Sequence, residues 1–406
     1  MSAASTARGA PLVRVLVLGG GYSGIMAANR LAGKVGKRVS ITMISPNDSF
    51  VERIRLHEVA ARHDTETASR WALRDLVHHD VRLRTGTVTR IDPDARVVHA
   101  HDSIANEPWS ESYDRLVYAV GSGTAVTAVP GSESYAHSIT NLAAARDLRA
   151  RLDDLSDSGS VLIVGGGTTA IELSTELAVA RPHLRLRLVT SGLVGPTLSE
   201  RGRDYLRRSR AFAGIELHEN TRVAEVTQEG VVTQDGRTIQ ADCVVWAASF
   251  AVPSLARDSG LDVDRAGRLV VDDTMRSTID PEILGAGDGC VITSPSNSHL
   301  RMACATAAPQ GAHAAATIVA EITGRPAPSF RLAYLVIAMS LGPDDGLVQR
   351  TRPDDTASDA VITGRLGAWF NELNNRYARQ ILAWERQRAG AYHWAKPPKR
   401  QAERVG

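Results

Sequence analysis

Two glycine-rich segments of the sequence have the residue spacing that binds a dinucleotide. The first is Gly19-Gly-Gly-Tyr-Ser-Gly24 and the second is Gly165-Gly-Gly-Thr-Thr-Ala170. In such a segment the first glycine permits a tight turn and the second lets the backbone approach a pyrophosphate. The third position packs the following helix on the strand, and alanine also fits there. Because backbone amides at the start of that helix can hold phosphates, the spacing predicts two nucleotide sites.

The flanking residues supply the elements that these sites need. The runs 13–18 and 161–164 are short, apolar and β-branched, as is typical of buried parallel strands. A helical run follows each glycine segment, at 25–31 and 171–180, and corresponding positions are 146 residues apart. One glycine-rich turn is a weak signal. Two copies in register, each between a strand and a helix, predict a duplicated nucleotide-binding unit.

These elements predict an α/β protein with two Rossmann-like dinucleotide-binding domains and a small α+β C-terminal region. Short apolar runs at 243–247 and 283–286 predict buried strands, and a helical pattern covers 366–386. The predicted organisation is a discontinuous first domain, 12–125 with 241–324, a second domain, 126–240, and a C-terminal region, 325–406.

Composition narrows the classes of function. The chain has 406 residues, a net charge of +2 and 43% hydrophobic residues, so it is typical of globular proteins and not of nucleic-acid binders. Its three cysteines, Cys243, Cys290 and Cys304, fit neither a zinc nor an iron–sulfur pattern, and no metal site is predicted. With no signal-peptide pattern and no apolar run of about 20 residues, we expect a cytoplasmic protein.

Four motifs in this order carry a resemblance to a known family. They are the segment 19–24, Tyr113-Asp-Arg-Leu-Val-Tyr-Ala-Val-Gly121-Ser122, the segment 165–172, and Ile283-Leu-Gly-Ala-Gly287-Asp288. Together they resemble the two-dinucleotide-binding-domain flavoproteins of the pyridine nucleotide-disulfide oxidoreductase superfamily. The nearest likeness is to its type II NADH dehydrogenases and apoptosis-inducing-factor relatives. The resemblance implies FAD in the first domain and NADPH or NADH in the second.

The resemblance also implies which residues contact each cofactor. Asp288 matches the family's ribityl-binding aspartate, and Ser45 stands where an acid for the FAD ribose is expected. Ala170 at the third fingerprint position, and the absence of an acid at Ser191, favour NADPH. The implied FAD contacts are Gly19, Gly21, Tyr22, Ser23, Gly24, Ser45, Arg53, Gly121, Ser122, Gly287 and Asp288. The implied NAD(P)H contacts are Gly165, Gly167, Thr168, Thr169, Ala170 and Ser191.

Four residues are candidates for a part in catalysis. Glu172 matches a family glutamate near the nicotinamide, where it could orient the carboxamide or relay protons. Arg53 could stabilise an anionic reduced flavin, and His57 could protonate an acceptor. Gln310 could line an acceptor pocket or merely cap a helix. The segment 50–58 holds no cysteine pair, which excludes the dithiol chemistry of the family's disulfide reductases.

The leading functional hypothesis is hydride transfer from NAD(P)H through FAD to a quinone or quinone-like small molecule. Alternatives are a reductase of a small electron carrier, a biosynthetic oxidoreductase acting on a specialised metabolite, and a non-enzymatic redox-signalling flavoprotein. Gene neighbours and turnover with several acceptors would discriminate these hypotheses.

The C-terminal helix has an apolar face with three- and four-residue spacings. We expect this face to pack on the protein's own core or on a second subunit in a homodimer. The alternative is peripheral contact with a membrane. The apolar face comprises Leu366, Trp369, Phe370, Leu373, Tyr377, Ile381 and Trp384, and the basic tail after it contains Lys396, Lys399, Arg400 and Arg404.

Overall fold

The structure is a computed structural model that describes residues 12–124 and 129–398. The polar N-terminal residues and the tail positions Lys399, Arg400 and Arg404 lie outside the described residues. The first part of the chain forms a strand–turn–helix unit and a small antiparallel sheet. Its strands are β1 (Val13–Leu18), β2 (Val39–Ser45), β3 (Ser49–Val51), β4 (Arg70–Ala72), β5 (Val81–Thr85), β6 (Thr87–Asp92), β7 (Val97–His101), β8 (Pro108–Ser112), β9 (Arg115–Tyr118) and β10 (Gly123–Thr124). Its helices are α1 (Tyr22–Val35), α2 (Leu56–Ala61), α3 (Glu66–Ser69) and α4 (Leu73–Leu76), and single 3₁₀ turns cover Gly36–Arg38 and Arg53–Arg55.

The second part of the chain repeats the same plan. Its strands are β11 (Ala136–His137), β12 (Ser160–Val164), β13 (Arg185–Val189), β14 (Glu216–His218), β15 (Val223–Thr227), β16 (Gly230–Thr233), β17 (Thr238–Gln240), β18 (Cys243–Trp246) and β19 (Phe250–Ala251). Its helices are α5 (Ser132–Tyr135), α6 (Leu142–Asp153), α7 (Thr168–Ala180) and α8 (Glu200–Arg208).

The chain then returns to the first unit and ends in a small mixed region. The returning strands are β20 (Leu269–Val271), β21 (Ile283–Gly285) and β22 (Cys290–Ile292), with helices α9 (Leu255–Asp258) and α10 (Cys304–Ile322) and a 3₁₀ turn at Pro295–Asn297. The C-terminal region has strands β23 (Val336–Ser340), β24 (Gly346–Thr351) and β25 (Ala357–Thr363), followed by helix α11 (Gly364–Gln387).

Two five-stranded parallel sheets organise these elements. The first has the order β21-β9-β1-β2-β5 and the second has the order β11-β18-β12-β13-β14. Residues 15–18 of the central strand β1 and all of the central strand β12 are buried, as their apolar sequences predict. The mixed α/β fold class predicted from the sequence is thereby confirmed.

One domain boundary is corrected by the strand pairing. Residues 241–324 were predicted to belong to the first domain, yet β18 pairs in parallel with β12 in the second sheet. Cys243–Trp246 therefore belongs to the second unit. Short apolar strands have similar sequences, so only the pairing partner shows to which sheet each strand belongs.

The C-terminal helix α11 buries the opposite face to the one predicted. Trp369 is 64% exposed and Leu373 is 49% exposed, while Asn371, Asn375 and Glu385 are buried. The expectation that the apolar face packs on the protein's own core is wrong for most of its length; near the end of the helix Ile381 does pack inward. The other exposed members of this face, which we call the outer face of α11, are Leu366, Tyr377 and Trp384.

Candidate active site

In the first glycine segment, the fold requires glycine at Gly19 and Gly24 but leaves open space at Gly21. Gly19 has a left-handed φ of +111°, and a Cβ there would overlap the carbonyl oxygen of Ala119. A Cβ on Gly24 would overlap the carbonyl oxygen of Gly19. Gly21 has no neighbouring atom within 4 Å of an added Cβ. The open space at Gly21 is therefore a cradle that the protein itself does not fill.

The start of α1 is suited to a phosphate group. Gly21 is its N-cap, no side chain caps the amides, and the first turn carries no acidic residue. Such a helix start has free N–H groups and a partial positive charge. Ser23, in this first turn, is buried against Gly287 and Gly311, where an added Cβ would come too close to Ser23. These glycines therefore let the Asp288 turn and α10 approach the phosphate cradle closely. Tyr22 beside them stacks edge-on against Phe50 with ring centroids 4.9 Å apart.

Three of the predicted cofactor residues are brought together by three separate chain segments. Arg53 Nη1 donates to the carbonyl oxygen of Ser122 at 2.8 Å, and Ser122 Oγ donates to Asp288 Oδ2 at 2.7 Å. Burial lowers the pKa of Arg53, while the Asp288 carboxylate acts to raise it. Gly121 and Gly287 both have positive φ, which permits the tight turns that present Ser122 and Asp288. The open cradle, the free helix start and this polar cluster fit a flavin dinucleotide.

The second glycine segment repeats the first. Gly165 has a φ of +141° beside the carbonyl of Ala247, and Gly167, the N-cap of α7, has no atom within 4 Å of an added Cβ. Ala170 is completely buried, so a small residue is needed there for packing. Thr168 and Thr169 open α7. The predicted nicotinamide-nucleotide cradle therefore has the same geometry as the predicted FAD cradle.

Comparison with known proteins agrees with this geometry. A model of the pyridine nucleotide-disulphide oxidoreductase family matches residues 13–316. The chain belongs to this family. Members similar to it include the NADH dehydrogenase-like protein Rv1812c of Mycobacterium tuberculosis, which is 28% identical, with 92% of this chain and 98% of that protein covered. The type II NADH:quinone oxidoreductase of Haemophilus influenzae is 27% identical, with 78% and 82% covered.

Another similar protein is the demethylphylloquinone reductase NdbB of Synechocystis, which is 25% identical over 95% of this chain and 96% of that protein. Among solved structures, NDH2 from Plasmodium falciparum in complex with NADH has a TM-score of 0.76, at 15% identity, covering 94% of this chain and 99% of that one. This likeness shows the shared fold. The suspected family is confirmed, and the protein is an NAD(P)H-dependent flavoprotein oxidoreductase.

Two further predicted residues, Gln310 and Ser45, make contacts within the protein that the sequence did not reveal. Gln310 is 3% exposed, and its Oε1 accepts a hydrogen bond from the Gly287 N–H at 2.8 Å. It supports the Asp288 turn, and a role for Gln310 in lining an acceptor pocket stays a prediction. Ser45 is buried at the end of β2 beneath Gly20, whose added Cβ would lie 2.9 Å from Ser45 Oγ. Ser45 therefore packs against the glycine segment at Gly20.

The end of β13 gives the surroundings of Ser191. This residue is exposed beyond Val189, and its contact with a nucleotide ribose stays a prediction. The nearby acid, Glu219, is already engaged, because its Oε1 accepts from the Val194 N–H at 2.7 Å and pairs with Arg207 at 3.0 Å. The Glu219 carboxylate is thus held by the Val194 backbone and the Arg207 side chain.

Glu172 and His57 occupy contrasting electrostatic environments. Burial raises the pKa of Glu172 to about 8, although the Ser340 N–H donates to its Oε1 at 3.0 Å. Burial and the neighbouring Arg55 and Arg62 lower the pKa of His57 to about 3. His57 is therefore neutral at physiological pH, which opposes its predicted role as a proton donor.

A network of charged side chains, not predicted from the sequence, surrounds the 50–58 segment. Arg55 contacts Glu52 at 3.1 Å, Glu58 at 3.0 Å and Glu372 on α11 at 2.6 Å. The three-residue spacing of Arg55 and Glu58 was a visible helical signal. The contact with Glu372, 317 residues away, had no sequence signal.

All three cysteines are free, and none has a thiolate-stabilising environment. Cys243 and Cys290 are buried within strands, and Cys304 is the first residue of α10. Burial raises the pKa of these thiols to about 12, 12 and 11. They are neutral at physiological pH, and a neutral thiol is a poor nucleophile.

Proposed function

We propose that the protein binds FAD at the first glycine segment and moves a hydride from NAD(P)H through it to a quinone or quinone-like small molecule. The observation that carries this proposal is the Arg53–Ser122–Asp288 cluster beside the open cradle at Gly21. The quinone-reducing relatives from Haemophilus and Synechocystis support the acceptor class.

The chain's own residues would bind and orient the reactants. Amides at the start of α1 would hold the FAD pyrophosphate, Asp288 would hold the ribityl chain, and Arg53 would face developing negative charge. Amides at Thr168 and Thr169 would hold the NAD(P)H pyrophosphate. FAD supplies the hydride-accepting chemistry when bound, so the protein mainly has to position the two rings.

NADPH is the expected nicotinamide cofactor, used at least as well as NADH. The exposed Ser191 replaces the acid that would accept the ribose hydroxyls of NADH, and Glu219 is engaged elsewhere. The test is kcat/KM for both nucleotides in the protein and in Ser191→Glu. We expect the substitution to shift the ratio towards NADH, and a strong native preference for NADH would refute the assignment.

The outer face of α11 suggests how a lipophilic acceptor is reached. An apolar groove of about 460 Å³ lies beside it, lined by residues that include Leu335, Val361 and Phe370. Tryptophan and tyrosine side chains favour the membrane interface, so we assign this face to peripheral membrane contact. A homodimer contact is the competing outcome. Among the described residues, no helix is both long and apolar enough to cross a membrane.

A cofactor and turnover assay tests the proposal. The purified protein should be yellow, release FAD and not FMN on heating, and oxidise NADPH with menadione as acceptor. Activity with ferredoxin but not menadione would instead support a carrier reductase. Absence of turnover with menadione, ferricyanide and oxygen would favour a specialised-metabolite or signalling role.

A further inference from the structure

A group of three side chains with metal-ligand atoms lies in the loop between α4 and β5. His78, His79 and Asp80 follow one another there, and each offers one ligand atom within 4.8 Å of the other two. Among the residues that the structure describes, this is the one group of three or more histidine, cysteine, aspartate or glutamate side chains so arranged. The prediction of no metal site rested on the spacing of the cysteines, none of which takes part here.

The distances within this group are close to those around a bound metal ion. His78 Nδ1 lies 3.6 Å from Asp80 Oδ2, and His79 Nε2 lies 3.4 Å from Asp80 Oδ1. Two ligand atoms that each lie about 2.0–2.1 Å from a tetrahedral zinc ion are about 3.4 Å apart. Because the Asp80 side chain is 60% exposed, its carboxyl group can rotate to place one oxygen beside both rings. Small side-chain movements are therefore enough to hold an ion.

The two imidazole rings are already arranged as metal ligands require. They stack with their centroids 4.2 Å apart and an interplanar angle of 28°. His78 Nδ1 accepts a hydrogen bond from the Asp80 N–H at 3.2 Å, so this nitrogen carries a lone pair and no proton. A histidine nitrogen must be in this state to bind a metal ion. The ion would replace the Asp80 N–H as the partner of this lone pair.

The loop that carries the group is fixed to two helices. The His78 N–H donates to Asn29 Oδ1 on α1 at 2.7 Å. Asn29 Nδ2 in turn donates to the carbonyl oxygen of Leu76 at 2.9 Å and to that of Leu382 on α11 at 3.2 Å. Asn29 is completely buried, so water does not compete for these hydrogen bonds. The backbone at His78 is thus ordered before an ion binds, which lowers the entropy cost of binding.

Two imidazoles and one carboxylate favour a zinc ion. Imidazole suits zinc, copper and nickel, whereas magnesium and calcium prefer oxygen ligands, and zinc has no redox chemistry that would interfere with a flavin. His79 is 80% exposed, which leaves a further coordination position open to water. Arg386 lies near the loop, where its Nη1 donates to the Asp75 carbonyl oxygen at 2.6 Å, and its charge opposes a cation. Three protein ligands beside this charge should give reversible binding.

We propose that His78, His79 and Asp80 bind one zinc ion reversibly, and that the bound ion stabilises the folded chain where this loop meets α1 and α11. The proposal does not depend on the proposed oxidoreductase function. An ion that binds the folded chain more tightly than the unfolded chain raises the free energy of unfolding. Asn29 transmits the ordering of the loop to both helices, because it is hydrogen-bonded to the loop and to Leu382.

A zinc titration of the full-length protein, first freed of metal with a chelator, is the first test. Calorimetry with zinc chloride should show one saturable site per chain. His79→Asn removes a ligand at an exposed position and should weaken this binding at least about tenfold, the loss that even an outer-sphere partner of a metal ion can cause. The matched control is His183→Asn, because His183 is also exposed and should leave the affinity unchanged. Equal affinity in His79→Asn and the unchanged protein, or no saturable site, would overturn the proposal.

X-ray absorption at the zinc edge is the second test, because it reports the type of ligand atom. With one equivalent of zinc chloride, the spectrum should show nitrogen and oxygen ligands at about 2.0–2.1 Å, including the scattering of imidazole rings. A sulfur ligand at about 2.3 Å would place the ion on a cysteine and contradict the assignment.

Thermal unfolding with and without excess zinc chloride is the third test. Zinc should raise the midpoint of unfolding of the unchanged protein and of His183→Asn, but not that of His79→Asn. An equal rise in all three proteins would show that zinc acts at other sites, and the absence of a rise in the unchanged protein would refute the stabilising role.

Discussion

Arg30 on α1 and Glu385 near the end of α11 form a buried ion pair, with Arg30 Nε 2.6 Å from Glu385 Oε1. Glu385 also accepts the backbone N–H groups of Gly390 and Tyr392. Burial acts to raise the pKa of Glu385, but Arg30 and these N–H groups outweigh it, and the pKa is lowered. The C-terminal helix is thereby fixed to α1, the helix that begins at the first glycine segment.

Removing this carboxylate should destabilise the protein. We expect Glu385→Ala to lower the free energy of unfolding by about 3–5 kcal/mol, because the buried Arg30 would lose its carboxylate and keep only the carbonyl oxygen of Tyr392. On the same helix, Arg376→Ala breaks only the exposed pair with Glu372 and should cost less than about 1 kcal/mol. Denaturant titration at pH 7 measures both, and similar losses would contradict the assignment. Since the pKa of Glu385 is lowered, its contribution should be lost as pH falls through the folded-state pKa.

Substitutions at two glycines of the first segment should affect folding and flavin binding separately. Gly21→Val should fold, because a Cβ there meets no protein atom, yet yield colourless protein because the side chain would occupy the phosphate cradle. Gly24→Ala should lose stability, since its Cβ would overlap Gly19. The measurements are bound FAD per chain and the midpoint of thermal unfolding. A full FAD complement in folded Gly21→Val would disprove the cradle.

Ionisation of Glu172 should lower the free energy of unfolding as the pH rises. Its folded-state pKa of about 8 is above the ordinary 4.5, so its favourable contribution is complete below about pH 4.5 and is lost as pH rises through 8. Glu172→Gln stays neutral at every pH. The free energy of unfolding of this variant, measured relative to that of the unchanged protein, should therefore rise by on the order of 2 kcal/mol from pH 6 to pH 9. Denaturant titrations at both pH values, with equal excess FAD, provide the measurement. A constant difference would show that Glu172 is ionised throughout.

The outer face of α11 should be required for membrane contact and dispensable for folding. Replacing Trp369 and Leu373 by serine should lower the fraction bound to anionic vesicles several-fold, with little change in the free energy of unfolding, because both side chains are exposed. The control is the double variant Asn374→Ser with Gln380→Ser. Sedimentation with vesicles and the molar mass in solution are measured together. A dimer that becomes a monomer, without vesicle binding in either protein, would assign this face to a second subunit.

The cysteines should be dispensable for turnover. A variant with Cys243, Cys290 and Cys304 all replaced by alanine should keep NADPH oxidation if it folds with FAD, because all three thiols are neutral and unpaired. Stopped-flow bleaching of the flavin absorbance by NADPH checks this directly. A flavin-loaded variant that NADPH no longer bleaches would reveal a redox thiol.

The sequence by itself determined the two nucleotide-binding units, whereas the individual cofactor contacts stay predictions. A glycine fingerprint depends on neighbours within one strand–turn–helix segment, so its spacing is readable without tertiary information. The positive φ of Gly19 and Gly165 and the open space at Gly21 and Gly167 agree with that reading. The third strand of the C-terminal sheet, β25, was not predicted, because it is only partly buried and lacks a clear alternating pattern.

Only the tertiary structure decided the orientation of α11 and the surroundings of the candidate acids. Amphipathic spacing shows that a helix has two unlike faces, but the surface opposite it decides which face is buried. Here Arg30, 355 residues from Glu385, supplies a partner that makes a polar face favourable inside. In the same way, the ion pair of Arg55 with Glu372 and the hydrogen bond from the Gly287 N–H to Gln310 depend on contacts between distant segments, which residue spacing does not encode.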